Sequence, residues 1–423
     1  MTKLPRPFFR VLTTAAAICL TGLLLPLGLS AADWPQILGP ARNGIAAGET
    51  IANTWPAAGP PIAWKAELGD GLGGPAIAAG KAIVFERVDD KEIIRAFDAA
   101  KGDKLWSASF DATYRGGIHS DTGPRSVPTI QQGKVVVFGA AGDLHCVNLA
   151  DGKKLWSRST FTDFEGQEGY FGAGTSPIIV GDKVLVNVGG RQGCGIVAFD
   201  LANGETRWKA TNEAASYSSP VVANLDGKAH VVFLTRLSAV ALDPTDGKVR
   251  FKFPFGQSGP TVTAANPLVF DNRLFVTASY GIGAEFLDLA ATPPKMIWGN
   301  DDTLSSQYNT PIHHEGYLYG VHGREDGVAA DFRCVEAKSG KVMWTEPRFG
   351  VANAILAGDK LIIVGLKGKL VLAEANPRAF RSLATAQLDA KFTRALPALS
   401  DGRLYLRENR EPGGSLLVLK VGK

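Results

Sequence analysis

The chain has few of the residues that build covalent or metal-held frameworks. Among 423 residues there are four cysteines, six histidines and three methionines. No two cysteines are adjacent, and none form a Cys-x-x-Cys pair. Cys19 lies in an N-terminal apolar stretch, which leaves Cys146, Cys194 and Cys334, and an odd number cannot complete a disulfide framework. A Cys146–Cys194 bridge stays open beside the alternative that these are small buried hydrophobes. Zinc-ligand spacing, a nucleotide-binding glycine loop and a Gly-x-Ser-x-Gly elbow are all missing. Charge of one sign is also lacking. The formal balance is +4, but Lys3, Arg6 and Arg10 precede the first acidic residue, Asp33. Without them 42 basic residues (45 less 3) face 41 acidic ones. Such a chain has no global field for nucleic acid or an anionic membrane.

What is abundant points elsewhere. Hydrophobic residues make up 45% and charged residues 20%, as in a globular protein rather than a disordered one. The 49 glycines and 24 prolines imply many tight turns, which suits an all-β protein of short strands. Residues 1–32 read as a signal peptide. A basic start precedes an apolar stretch from Val11 to Leu29, broken by Gly22, Pro26 and Gly28, and Ser30-Ala31-Ala32 supplies the small residues of a cleavage site. The rival reading is a membrane anchor, since the stretch approaches spanning length, but no basic flank follows it. Ile18 before Cys19 is too bulky for a lipobox. The expectation is export to the periplasm or beyond, with no transmembrane segment after signal removal.

Internal repeats decide the fold. Asp98…Gly102…Trp106 returns as Asn148…Gly152…Trp156, Asp200…Gly204…Trp208, Asp243…Gly247…Phe251 and Glu336…Gly340…Trp344. A fifth unit, Asp288 to Trp298, carries Pro293-Pro294 in place of the glycine, and a seventh, Glu374 to Ala386, is degenerate. The frame is a hairpin: Asp or Asn bonds the turn backbone, Gly supplies a positive φ, and the next strand carries an aromatic ring. A ring of that size buries about 150–250 Å², enough to staple one sheet to its neighbour. Upstream of each frame, a residue such as Pro128, Pro177, Pro220, Pro267 or Pro311 opens a strand–turn–strand unit. Eight such openings, near 75, 128, 177, 220, 267, 311, 354 and 397, recur every 43 to 53 residues, the length of a four-stranded blade. The last unit stops after three strands, while Pro61 to Leu68, carrying Trp64, is an orphan fourth strand. Pairing them closes the ring. The fold expected is an all-β, eight-bladed β-propeller over 55–423, after an N-terminal extension at 33–54.

The Gly-Lys-x-x-Trp ending resembles the tryptophan-docking repeat of quinoprotein alcohol dehydrogenases, and of the non-catalytic propeller lipoprotein of the outer-membrane barrel-assembly machinery. Asp33-Trp34-Pro35-Gln36…Gly39-Pro40-Ala41-Arg42-Asn43-Gly44 is similar to the opening of a large set of exported bacterial proteins, abundant in planctomycetes, with pyrroloquinoline quinone-binding-like repeats. Gly123-Pro124-Arg125-Ser126-Val127-Pro128, Ser216 to Pro220 and Tyr280 to Gly283 also resemble that set. Resemblance to the catalytic members implies quinone held between a Trp and a vicinal disulfide, and calcium held by Glu, Asn and Asp beside an Asp base. This chain has no vicinal cysteines, and the carboxylate–amide set finds no match residue by residue.

Ligands of a propeller bind on the face where the connections between blades and the second-to-third-strand turns gather around the channel. The long connection Phe110–Arg125 offers Tyr114, Arg115, His119, Asp121 and Arg125; the connection Phe161–Phe171 offers Glu165 and Tyr170. Tyr217, Asn266, Tyr280 and Arg324 are further candidates at the channel mouth. Arg125 could grip a carboxylate or phosphate in bidentate fashion, or pair with Asp121 or Glu165. His119 with Asp121 could form a base and its orienting carboxylate, or be solvated. Trp64, Trp106, Trp156, Trp208, Phe251, Trp298 and Trp344 are expected to dock blades. No catalytic or metal residue is assigned. Three functions remain. The first is a monomeric binding or scaffolding module of the envelope for a protein, small-molecule or glycan ligand. The second is a dehydrogenase of alcohols or sugars using pyrroloquinoline quinone and calcium, and the third a carbohydrate-binding propeller.

Overall fold

The computed structural model describes residues 1–2 and 33–422 apart from positions 57, 119, 292, 391 and 411. The signal-peptide reading and His119 therefore lie outside the described residues. The chain forms eight four-stranded antiparallel sheets, seven in sequential order and one that joins the two ends. Blades 1 to 7 span 76–111, 129–159, 178–210, 221–254, 268–300, 312–346 and 352–387. Blade 8 takes Ala398–Ser400, Arg403–Asn409 and Gly414–Lys420, and its outer strand is Ile62–Leu68. Trp64 lies opposite Val418 in that pairing. The ring closure expected from the orphan strand is thus found.

Blades are sandwiched on both faces. Their middle strands accordingly read as continuous apolar runs, such as Val135-Val136-Val137-Phe138, every member of which is buried. Outer strands meet solvent on one side and alternate, as in Lys104–Asp111. The first strands are short, three residues in six of the eight blades, because they converge on the axis where space is least.

Docking between blades repeats one device. The outer strand of each blade carries a β-bulge beside the docking residue: Ala96 opposes Trp106, Cys146 opposes Trp156 and Ala198 opposes Trp208, each just before the register shift. Bulges re-aim a side chain. The indole N–H of Trp64, Trp106, Trp156 and Trp208 donates to Ala99, Leu149, Leu201 and Pro244 of the next blade at 3.0–3.1 Å. Trp298 and Trp344 donate to Ala337 and Asn376 at 2.8 Å. The repeat glycine of the receiving blade lies under the indole. A Cβ on Gly204, at φ +75°, would stand 2.7 Å from Trp156. The residue four positions earlier caps the turn, Asp200 Oδ1 accepting from the Ala202 N–H at 2.7 Å. Phe251 has no N–H to donate, and the turn it faces is the one with Pro293-Pro294. In blade 7 the register puts Ala384 at the docking position. The core shared by blades 7 and 8 takes Trp55, just after the N-terminal extension, instead.

That extension is a plug, a role its sequence did not reveal. Trp34 forms an antiparallel bridge with Ile77 of blade 1, Ile45 a parallel one with Leu356 of blade 7, and Ile51 one with Gly422 of blade 8. The carboxylate of Glu49 accepts the Asp401 and Gly402 N–H groups at 2.6 and 2.9 Å, so the segment lies across the first-to-second-strand turns. Gly44 is needed because a Cβ there would meet Ile312 Cδ1 at 2.3 Å. Arg42 is buried at the axis. Its guanidinium donates to Gln36 Oε1 and Pro220 O at 2.8 Å, to Pro177 O, and to Thr129 Oγ1 at 3.4 Å. One side chain thereby holds blades 2, 3 and 4. Burial pulls its pKa down to about 9, still above neutrality, so the charge persists.

Candidate functional site

Above the plug the channel widens into a funnel of about 570 Å³, within the range of small-molecule sites. Ile37 of the plug belongs to its lining, and all eight blades or the connections beside them contribute to the walls. The walls are held in register by a relay at the start of the first strands. Each backbone N–H donates to a side chain of the next blade: Val127 to Ser176 Oγ, Ser176 to Ser219 Oγ, Ser219 to Asn266 Oδ1, and Asn266 to Thr310 Oγ1, all at 2.8 Å. Asn309 then bonds Asn353 at 2.7 Å. Polar residues precede these strand-opening prolines because their donors have no ladder partner so near the axis.

One wall centres on Arg125. Its guanidinium lies 5.3 Å from the centre of the buried Tyr114 ring and donates to the carbonyls of Gly123 and, at 2.6 Å, Asp121. The expected pairing with a carboxylate of Asp121 or Glu165 is not found. Asp121 turns its carboxylate to the Gly123 and Gly71 N–H groups at 2.8 and 3.2 Å, and Glu165 sits exposed on the rim near Gln192. Among the described residues no carboxylate lies within ion-pair distance of Arg125, and its Nε is buried without a partner. Burial lowers its pKa, opposed by the charge of Asp121. Beside it Phe171 and Tyr217 form an aromatic corner, the Tyr217 hydroxyl accepting from the Tyr170 and Phe171 N–H groups at 2.9 and 3.1 Å. Behind Arg125 sits a further carboxyl, Glu92, which accepts the Ala140 N–H at 2.9 Å; burial pushes its pKa up to about 7.

The opposite wall, four places round the ring, is a hydrogen-bonded lattice. Arg394 pairs with Glu325 at 2.7 Å, and the Tyr308 hydroxyl donates to the same carboxylate oxygen at 3.0 Å. The Glu325 N–H donates to Gln307 Oε1 at 2.9 Å, and Gln307 Nε2 to the Tyr280 hydroxyl at 2.7 Å. Arg324 stacks 4.9 Å from the Tyr280 ring centre and pairs with Asp326 at 3.2 Å. Burial, aided by the Glu325 charge, drives the Tyr308 pKa upward.

Of the sequence candidates, Arg125, Tyr217 and Tyr280 line the funnel, and Arg324 flanks it against Tyr280. Tyr114 is buried under Arg125 and packs against Gly117 and Gly172. Asn266 belongs to the relay. Arg115 is exposed and pairs with Asp90 at 2.9 Å, and Tyr170 stands on the rim. Phe171, Gln307, Tyr308 and Arg394 line the funnel as well. Tyr308 and Arg394 precede first strands in the same phase as Arg125, which is the signal that would have found them. The loop expected from Phe161 begins instead with one helical turn, Thr160–Phe164, because Phe164 turns inward against Phe199. The three described cysteines, Cys146, Cys194 and Cys334, are free and buried in blades 2, 3 and 6, so the Cys146–Cys194 bridge is not formed.

A closed ring of tryptophan-docked four-stranded blades around such a funnel is the quinoprotein-like class of β-propeller. Residues 89–346 match the family described as outer membrane protein assembly factor BamB, and the chain belongs to it. BamB of Shewanella oneidensis is 31% identical over 106 residues, 23% of this chain and 26% of that one. The quinohemoprotein alcohol dehydrogenase of Comamonas testosteroni is 27% identical over 141 residues, 30% of this chain and 18% of that one. The chain therefore matches only 26% and 18% of the length of these curated relatives. A europium-containing methanol dehydrogenase superposes with a TM-score of 0.70 at 12% identity, covering 91% of each chain, which shows the shared fold. Among the described residues no helix is long and apolar enough to cross a membrane.

Proposed function

We propose that the protein is a binding module of the bacterial envelope, exported and monomeric, which seats its ligand in the funnel without transforming it. The observation that carries this reading is the cup itself. It is enclosed by the whole ring and has the plug for a floor. Its acids are neutralised by their own neighbours, and Arg125 is its one lining cation without an acidic partner among the described residues. Among the described residues lining it, no nucleophile lies against a base. The name of the matched family supports an envelope setting.

The quinone reading fits these residues poorly. The funnel's aromatic rings are Phe171, Tyr217, Tyr280 and Tyr308, with no Trp among the lining residues. Its two carboxylates are engaged by Arg394 and Arg324. Among the described residues no three His, Cys, Asp or Glu side chains are placed to share a metal. The test compares wild type with Ala264→Trp, which fills the funnel, by thermal shift against panels of carboxylates, saccharides and peptides, and against pyrroloquinoline quinone with calcium. A ligand at about 100 times its Kd adds about 2.7 kcal/mol. The proposal expects a shift from one panel that Ala264→Trp abolishes. A shift from the quinone with calcium, accompanied by dye-linked alcohol oxidation, would replace this reading with the enzymatic one.

A further inference from the structure

A second cavity of about 540 Å³ lies between blades 5 and 6, open to solvent and lined by polar groups including Ser279, Asp301, His322 and Arg324. Tyr280 lines both this groove and the funnel. Its backbone sits at φ +69°, a left-handed conformation that costs a bulky residue strain and persists only where its surroundings enforce it. The surroundings here are Gln307 on its hydroxyl and Arg324 on its ring. Tyr280 is thus a fixed saddle between two cavities rather than a loose lip. In the groove Ser305 donates its N–H to His322 Nδ1 at 3.1 Å, so the neutral imidazole keeps its proton on Nε2 as a donor. Ser305 also donates its hydroxyl to Asp301 at 2.6 Å.

We infer that funnel and groove form one elongated site for an acidic oligosaccharide, with a sugar carboxylate against Arg125 and the chain leaving over Tyr280. This rests on the binding-module reading and names its ligand class. Three features argue for it. Flat rings stand beside planar side chains that their neighbours hold in place: Gln307 Nε2 keeps a second proton, and Glu325 takes Arg394 and Tyr308 on Oε2 alone, which leaves Oε1 for a sugar hydroxyl. Arg125, the lining cation with no carboxylate at ion-pair distance among the described residues, sits across the ring from the exit, so a chain anchored there must span the funnel before it meets the saddle. The groove beyond is rich in donors and acceptors, which suits a ligand that stays hydroxylated along its length rather than an apolar peptide.

The test is calorimetric titration of wild type with galacturonate oligomers of one to four units, their methyl esters and neutral oligomers. The expectation is that the tetramer binds about tenfold more tightly than the dimer, and that esterification weakens binding by about tenfold, the size of one charge-assisted contact. Tyr280→Gly keeps the left-handed backbone and should erase the length dependence, so that the tetramer binds no more tightly to that variant than the dimer does. Arg125→Gln should bind acid and ester alike. The ester comparison in wild type reads the carboxylate contact even if that variant misfolds. Equal affinity for neutral and acidic chains overturns the anion assignment, and affinity independent of length overturns the joined site. Binding of a peptide or aromatic acid in the funnel, with no uronate binding, overturns the ligand class and leaves the binding module standing. Silence from every class overturns both.

Discussion

Replacing Arg42 by methionine tests whether the N-terminal segment clamps the ring or merely decorates it. The guanidinium is buried, and its loss strands acceptors of unequal standing. Pro177 O keeps a donor in the Thr129 hydroxyl at 2.7 Å, whereas Pro220 O and Gln36 Oε1 lose the donor shown for them. The orphaned Pro220 carbonyl, which is buried, costs about 1–3 kcal/mol, and the half-buried Gln36 amide less. With the weakened hold on blades 2 to 4, Arg42→Met should destabilise by about 3–5 kcal/mol. For a chain of roughly 390 residues that lowers Tm by about 5 °C. The assay is urea unfolding of the chain beginning at Asp33, read as a fall in midpoint at constant slope. Arg42→Lys keeps the charge but not the fork, and should fall between the two. A methionine variant within about 1 kcal/mol of wild type would refute the clamp, since water would then satisfy those carbonyls as well as the guanidinium does.

Other expectations follow from the same contacts. Gly204 and Gly227 share φ +75°, but a Cβ on Gly204 strikes Trp156 and one on Gly227 meets nothing within 4 Å. Gly227→Ala should cost about 1 kcal/mol of stability and Gly204→Ala about 1–3 kcal/mol more, with equal losses disproving the docking role. Glu92 titrates near 7 in the folded chain against an ordinary 4.5. The folded state therefore holds the proton over that window, and stability falls as pH rises from about 4.5 to 7, by at most about 3 kcal/mol. Glu92→Gln should flatten that slope in denaturation profiles. Burial pushes the Cys146 and Cys334 thiols up to about 12, so neither should react with a disulfide reagent until the protein is unfolded.

The blades were legible because their signals are local. Asp98, Gly102 and Trp106 fall within one hairpin, and their roles follow from turn chemistry whatever the rest of the chain does. The funnel was less legible because its partners meet across the ring. Arg394 and Glu325 are 69 positions apart, and Arg125 chose carbonyls over the nearby carboxylates because Asp121 was already committed to the Gly71 and Gly123 amides. Asn266, which resembled a ligand contact, serves the inter-blade relay instead. Arg42 was visible only as part of a family-like opening, since nothing adjacent to it in sequence announces three proline-region acceptors from blades 2 to 4.

Because Ile62–Leu68 completes the sheet begun at Ala398, the earliest part of the domain to be synthesised has no final seat until the latest part arrives. Seven blades can assemble as an open crescent with the plug seated on blades 1 to 4 and 7, while the strand Ile62–Leu68 remains unpaired. Such long-range pairing slows folding and postpones the cooperative step to the end of synthesis. A chain of this design keeps one open edge until residues 398–420 are free, and only then becomes rigid.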